Sequence, residues 1–288
     1  MPELRVRVIC ENTAGRPDLL GEWGLAYWIE VDGRAVLFDA GQGLALAHNL
    51  EPMGIDLASA KAIVLSHGHY DHTGGLDLVL ARNRTAPIYL HPAALEPKYS
   101  ANRGGSLRSI GIPDLSAMAL RMSEERVHRH KGPVEVLPGL LATGAIPRKT
   151  AYEDTGGDFR RPEGDGNIGP DPIEDDQALF CDTQEGLVVI LGCAHAGVVN
   201  TLREVRRQWG EMHPGAPERP LAMVLGGMHL LHATPERLAR TIEALRELGP
   251  ARLAPMHCTG AAAVAALWNG LPGICMPAPA GAEFTFSG

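Results

Sequence analysis

Four side chains able to ligate a metal fall within six residues, His67, His69, Asp71 and His72, in the stretch Ser66-His67-Gly68-His69-Tyr70-Asp71-His72-Thr73-Gly74-Gly75. Side-chain direction alternates along extended backbone, so His67 and His69 can face one ion together. Asp71 and His72 then point elsewhere and can open a second site. Three imidazoles and a carboxylate this close suit a first-row divalent metal, zinc ahead of manganese or iron. A pair of such ions lowers the pKa of a shared water and clamps a phosphoryl or carbonyl oxygen. Asp71 is the residue placed to bind metal and orient that water.

One short loop cannot complete two ligand shells, so the remaining donors must come from elsewhere. Three other histidines follow apolar runs directly. They lie in Leu191-Gly192-Cys193-Ala194-His195-Ala196-Gly197, in Leu225-Gly226-Gly227-Met228-His229-Leu230 and in Pro255-Met256-His257-Cys258-Thr259-Gly260. His195 and His257 are the expected additional metal ligands. His229 is expected to touch substrate or support a ligand, and direct ligation is its weaker reading. Cys193 is either a ligand or a small buried residue. On the substrate side, Arg108 and Arg148 have the planar fork that binds phosphate in a bidentate way. Arg103 reads as surface charge.

The elements that must carry these residues alternate in type. Strict alternation predicts a strand over 4–10. Residues 26–31 and 35–38 form an expected hairpin around Asp32-Gly33. A helix is expected over 44–53, then a buried strand over 62–65 that feeds the histidine loop. A helix over 76–81 and a strand over 87–90 follow. Strands are expected at 177–181, 187–191, 221–225 and 252–256. Val198, Leu202, Val205 and Trp209 mark one helical face. Thr234-Pro235 starts a second helix, which ends at Gly249-Pro250. A third covers 261–269. Loops are expected at about 97–117 and 147–176. The second is rich in Asp and Glu and reads as a solvated flap that could cover the site.

The whole chain, 1–288, reads as a single domain. Its 288 residues, 45% hydrophobic and 21% charged, exclude a disordered chain. Lys and Arg number 26 against 34 Asp and Glu, a net charge of −8, which disfavours a nucleic-acid binder with a broad basic face. No apolar run reaches the ~20 residues of a membrane span. The five cysteines show no tight pairing pattern. A cytoplasmic protein with no membrane partner is therefore expected, and self-association is compatible with the composition. No Gly-x-Ser-x-Gly elbow, Walker loop or dinucleotide fingerprint is present, which disfavours those chemistries.

His67-x-His69-x-Asp71-His72 after a strand, with later ligands at strand ends, resembles the metallo-β-lactamase superfamily. Leu65 to Leu76, Arg108-Ser109-Ile110-Gly111-Ile112-Pro113, Thr143-Gly144-Ala145-Ile146-Pro147-Arg148, the Gly192–Gly197 stretch and His257-Cys258-Thr259-Gly260 resemble one branch in particular. That branch is labelled dihydropterin-methyl-ribofuranosylaminobenzene phosphate synthase-like. The resemblance implies an α+β fold, the αββα four-layer sandwich. It implies His67, His69 and His195 around one metal and Asp71, His72 and His257 around the other. It also points to hydrolytic or transfer chemistry, because the oxygen-reactive di-iron relatives carry Glu where His69 stands. Many members place a bridging Asp in a Gly-Asp pair where this chain has Gly192-Cys193. That departure leaves the count at one or two metals, and Cys193 could ligate instead. The expected activity is a metal-dependent hydrolase acting on a phosphorylated or anionic small molecule. Two alternatives stand beside it. One is a transferase joining a pterin methyl diphosphate to ribofuranosylaminobenzene phosphate. The other is a non-catalytic metal-binding or ligand-sensing protein.

Overall fold

A computed structural model describes residues 1–101 and 104–288, so Arg103 lies outside the described residues. Alternating apolar residues build two large sheets that face each other. The first holds seven strands in the order β17 (Glu283–Phe286), β1 (Leu4–Cys10), β2 (Ala26–Val31), β3 (Arg34–Phe38), β4 (Ala62–Val64), β5 (Ile88–Leu90) and β8 (Val127–Arg129). The second holds six, in the order β16 (Leu253–Met256), β15 (Leu221–Gly227), β14 (Gly186–Leu191), β13 (Ala178–Thr183), β10 (Leu140–Ala142) and β9 (Val134–Leu137).

The period of two sorts each strand's residues between layers. In β14, Val188 and Ile190 join Val6, Ile29, Phe38 and Val64 in the core between the sheets. Leu187, Val189 and Leu191 point the other way. There they meet α5 (Val198–Met212), α6 (Pro235–Leu248) and α7 (Ala261–Gly270). On the far side of the first sheet, Trp28, Leu37 and Ile63 pack on α1 (Leu44–Asn49), α3 (Leu76–Arg82) and α4 (Asp114–Met122). The result is helices, sheet, sheet, helices: the αββα sandwich. No helix is long and apolar enough to cross a membrane among the described residues.

The helix expected over 44–53 ends at Asn49, and two stretches expected as loops carry regular structure. Residues 97–117 and 147–176 are not purely loops. They contribute a four-stranded sheet in the order β12 (Ile168–Pro170), β11 (Phe159–Pro162), β6 (Tyr99–Ala101) and β7 (Leu107–Ser109). Its strands are three or four residues long and partly solvent-facing, so no periodicity marks them. The acidic segment is also less solvated than its composition suggests. Glu153, Asp171, Asp175 and Asp176 are buried. Lys98, itself buried, pairs with Asp175 at 2.8 Å and Asp171 at 3.2 Å. Glu153 accepts from the Val199 and Asn200 amides at the start of α5, where a carboxylate meets the positive end of the helix dipole.

Candidate metal centre

Parallel pairing aligns the C-terminal ends of β3 with β4 and of β14, β15 and β16, so the loops that leave them share one edge of the sandwich. His67 and His69 follow β4. The short helix α2 (Tyr70–Thr73) carries Asp71 and His72. Cys193 and His195 follow β14, His229 follows β15 and His257 follows β16. Six non-glycine residues among those described have positive φ, and four of them, Asp39, Ala194, His229 and His257, lie at this edge. Such backbone costs about 1–3 kcal/mol per residue and persists where surrounding structure over-determines it, typically at functional sites.

The donors converge on adjoining groups. One atom each from His67, His69 and His195 lie within 4.8 Å of one another, and so do one each from Asp71, His72 and His257. His67 Nε2 is 3.0 Å from His69 Nδ1, His72 Nε2 is 3.3 Å from His257 Nε2, and His257 Nε2 is 3.4 Å from Asp71 Oδ2. Two nitrogens each ~2.0–2.1 Å from a tetrahedral zinc stand about 3.3 Å apart, so these spacings fit donors around an ion. Cys193 Sγ lies 3.1 Å from His72 Nε2, and Cys193 also groups with His67 and His72. The thiol thus sits beside both sets. His229 groups with Cys193 and Cys258 rather than with either set.

The other nitrogen of four imidazoles is tied down, which fixes the tautomer and the aim of each ring. Asp39 Oδ2 accepts from His72 Nδ1 at 2.7 Å and from Ser66 Oγ at 2.6 Å. With the Ser66 hydroxyl donating to Asp39, His67 Nδ1 is left to donate to Ser66 Oγ at 2.8 Å. His195 Nδ1 donates to the Thr155 carbonyl at 2.9 Å, and His257 Nδ1 pairs with Asn12 Oδ1 at 3.0 Å. In all four the Nε2 atom is free to face the centre. The buried Nε2 atom of His195 has no protein partner. Buried polar atoms are rarely left unpaired without a reason, and a divalent ion is the partner this donor set fits.

The electrostatics agree. Burial, reinforced by neighbouring imidazoles, pushes His67, His69, His195 and His229 well below the usual histidine range. These rings are neutral and offer lone pairs. Burial works against charge on His72 as well, but the Asp39 carboxylate overrides it and lifts the ring to about 9. A metal there must displace a proton. Burial would raise Asp71, yet its hydrogen bond and charge contact with His257, together with His72, hold it well below the usual carboxylate range. Burial pushes the Cys193 thiol up, so it ionises only when an ion compensates it.

A cavity of about 290 Å³ opens on these donors, lined by Asp71, Cys193, His195 and Arg108 among others. The Arg108 guanidinium lies 5.5 Å from the Tyr70 ring centre. Arg148 is placed differently from its expected substrate role. It is not among the cavity's lining residues, and its guanidinium donates to the carbonyls of His195 at 2.6 Å and Glu153 at 3.3 Å. Its place is behind a ligand. The 151–158 segment does cover the site, but as a fastened strap. Thr155 holds His195, Asp154 pairs with Arg237, and the Phe159 ring sits against His69, His195 and His229 with centroids 5.2–5.7 Å apart.

Sequence reasoning missed Asp39, Ser66 and Asn12, the residues that orient the ligands. Asp39 alone left a signal: a carboxylate ending the apolar strand Ala35-Val36-Leu37-Phe38, directly before Ala40-Gly41.

Comparison with known proteins agrees with the fold. The family described as the metallo-beta-lactamase superfamily matches residues 24–257. A 7,8-dihydropterin-6-methyl-4-(beta-D-ribofuranosyl)-aminobenzene-5'-phosphate synthase of Methanocaldococcus jannaschii is 29% identical over 274 residues, which are 89% of this chain and 88% of the relative. The crystal structure of Tm1679, described as a metal-dependent hydrolase of the beta-lactamase superfamily, superposes with a TM-score of 0.80 at 29% identity. That match covers 99% of this chain and 100% of the other. A diphosphatase from the PhnP family shares the fold alone, with a TM-score of 0.53 at 14% identity over 99% of this chain and 98% of that one. The chain belongs to the metallo-beta-lactamase superfamily.

Proposed function

We propose that this member of the superfamily is a metal-dependent hydrolase of phosphorylated or otherwise anionic small molecules. One observation carries the reading: two adjoining three-donor sets open onto a single cavity that has Arg108 in its wall. When bound, divalent ions would supply an activated water and an electropositive clamp for phosphoryl or carbonyl oxygens.

The protein's own groups do the rest. The Arg108 fork receives the anionic end of the substrate and orients it. Asp71 stays ionised at neutral pH, so it accepts and aims a proton rather than donating one. Phe159, set against three imidazole rings, keeps bulk water off the His69 and His195 side. Arg148, Thr155 and Asn12 hold the backbone or ring of His195 and His257, so the donor geometry exists before substrate arrives. The net charge of −8 supports a small molecule, rather than a nucleic acid or a membrane, as the partner. Zinc is the ion we expect first, ahead of manganese and iron.

The test is a screen of phosphoesters and diphosphates with metal-reconstituted protein and mass spectrometry of the products. Turnover that disappears in Asp71→Asn supports the reading. A fully metallated protein that turns over no phosphoester or diphosphate overturns it.

A second reading has a specific observation behind it, the named synthase that matches most of this chain. In that reading the chain joins a pterin methyl diphosphate to ribofuranosylaminobenzene phosphate. A joined product, rather than cleaved diphosphate alone, would favour the transferase.

A further inference from the structure

The acidic segment ends in two carboxylates that belong to neither donor set. Asp175 and Asp176 are fully buried and stand two residues before β13 at the nearest. Taking adjacent carboxylates out of water is costly unless each meets a counter-charge or strong donors. What they meet is the backbone of the donor loops. Asp175 Oδ2 accepts from the Gly68 amide at 2.7 Å, in the peptide that joins His67 to Gly68. Asp176 Oδ2 accepts from the Ala196 amide at 2.8 Å, in the peptide that joins His195 to Ala196. Hydrogen bonds to an ionised acceptor are roughly twice as strong as neutral ones.

Counter-charges complete the arrangement. Lys98 donates to Asp175 Oδ1 at 2.8 Å. Arg148 donates to the His195 carbonyl, so Arg148 and Asp176 grip opposite ends of one peptide. Gln177 continues the seam. Its amide donates to the Ser66 carbonyl at 3.0 Å, and its side chain donates to the Leu65 carbonyl at 2.8 Å. Residues 175–177 therefore fix the peptides on both sides of His67 and the peptide after His195. Among the described residues, these hydrogen bonds do not reach His72 or His257. Asp39 orients His72, and Glu11 and Asn12 hold His257.

We infer that Asp175 and Asp176 are positioning residues for one metal position only, the set His67, His69 and His195. Together they set the separation of the loops after β4 and β14, and hence of the first two rings from the third. Loops held this way keep the three rings near one another with no ion present to draw them together. The inference rests on the proposed reading only in assigning an ion to that set, and on no particular reaction.

Zinc affinity in two single-ion backgrounds tests it without turnover. His257→Ala leaves the His67, His69 and His195 set intact, and His69→Ala leaves the other. Asp176→Ala removes the acceptor of the Ala196 amide. In the His257→Ala background it should weaken zinc about ten- to hundred-fold, as loss of a ligand's outer partner typically does. In the His69→Ala background it should change affinity by less than two-fold. Asp176→Asn keeps an oxygen for the Ala196 amide and should restore affinity to within about three-fold. Asp175→Asn has one oxygen for both the Gly68 amide and Lys98, so it should behave like Asp176→Ala. Asp171→Asn disturbs the same Lys98 cluster without touching a donor loop. It should lower Tm and leave zinc affinity unchanged in both backgrounds. Equal weakening in both backgrounds, no weakening in His257→Ala, or the same loss from Asp171→Asn overturns the inference. The two failures are distinguishable. If His257→Ala alone binds no zinc, the two-set centre fails and this inference with it. If both backgrounds bind zinc and the Asp175 and Asp176 variants do not separate them, this inference alone fails.

Discussion

Asp39→Asn is the perturbation that tests how the protein tunes its metal donors. Asp39 is fully buried and takes three donors on two oxygens. The Ser66 amide donates to Oδ1 at 2.7 Å, and the Ser66 hydroxyl and His72 Nδ1 both donate to Oδ2. Asparagine keeps the shape but has one acceptor oxygen. Whichever way the amide turns, its NH2 meets at least one buried donor, a cost of about 1–3 kcal/mol. Loss of an outer-shell partner of this kind typically weakens metal binding by ~10–100-fold.

The pH dependence makes the prediction sharper. In the metal-free protein His72 titrates at about 9, raised by Asp39 against the effect of burial. Because that pKa is raised, the His72–Asp39 contribution to metal-free stability is complete below the ordinary histidine value of ~6.5 and is lost as pH rises through about 9. The same proton competes with metal, so wild-type affinity falls by about ten-fold per pH unit below that point. In Asp39→Asn the ring is less basic and competes less. The ten- to hundred-fold loss should therefore be full near pH 9.5 and shrink toward pH 7. Competition against a chromogenic chelator over pH 7–9.5 measures it. Unchanged affinity at pH 9.5, or a gap that stays constant across the range, would refute the reasoning.

Three further outcomes follow from particular contacts. Lys98→Met leaves Asp171 and Asp175 buried without their counter-ion, so it should cost about 3–5 kcal/mol and lower Tm by roughly 5–15 °C. A thermal scan within 2 °C of wild type would count against that ion-pair cluster. Gly68→Ala directs a Cβ to 2.1 Å from the Ala94 carbonyl oxygen, a backbone atom that cannot rotate away. It should destabilise by about 1–3 kcal/mol and cost bound metal, read by urea unfolding and metal analysis on one preparation. Arg108→Ala should raise KM for anionic substrates at least ten-fold with a smaller change in kcat, and Arg108→Lys should recover only part of it. Steady-state kinetics in which kcat alone fell would place Arg108 in a different role.

The candidate donors were legible in the sequence for a physical reason. His67, His69, Asp71 and His72 are crowded together, and His195 and His257 each follow an apolar run whose strand end can be located. Their supports were not legible. Asn12 has no spacing relation to the ring it holds, and only the folded chain brings it to 3.0 Å from His257 Nδ1; Ser66 adjoins His67, but nothing in the sequence marks its hydroxyl as the link to Asp39. The acidic segment shows the same limit. Counting charges cannot separate Glu153, which caps a helix, or Asp175, which is paired with a buried lysine, from carboxylates in water. The small third sheet escaped because its strands are too short to show a period, and the pairing that joins its two local strand pairs, Phe159 with Ser100, bridges segments over 50 residues apart. Arg148 had the right chemistry for phosphate but lies behind His195, a placement that its neighbours in sequence do not encode.

The most direct test of the two-set centre is metal stoichiometry per chain, measured on protein purified without chelators and again after reconstitution. Two divalent ions per chain are expected. His69→Ala and His257→Ala, one from each set, should each retain about one ion while remaining folded. A single ion in fully reconstituted wild-type protein, or the loss of both ions from either variant with the fold intact, would contradict the existence of two adjoining sites.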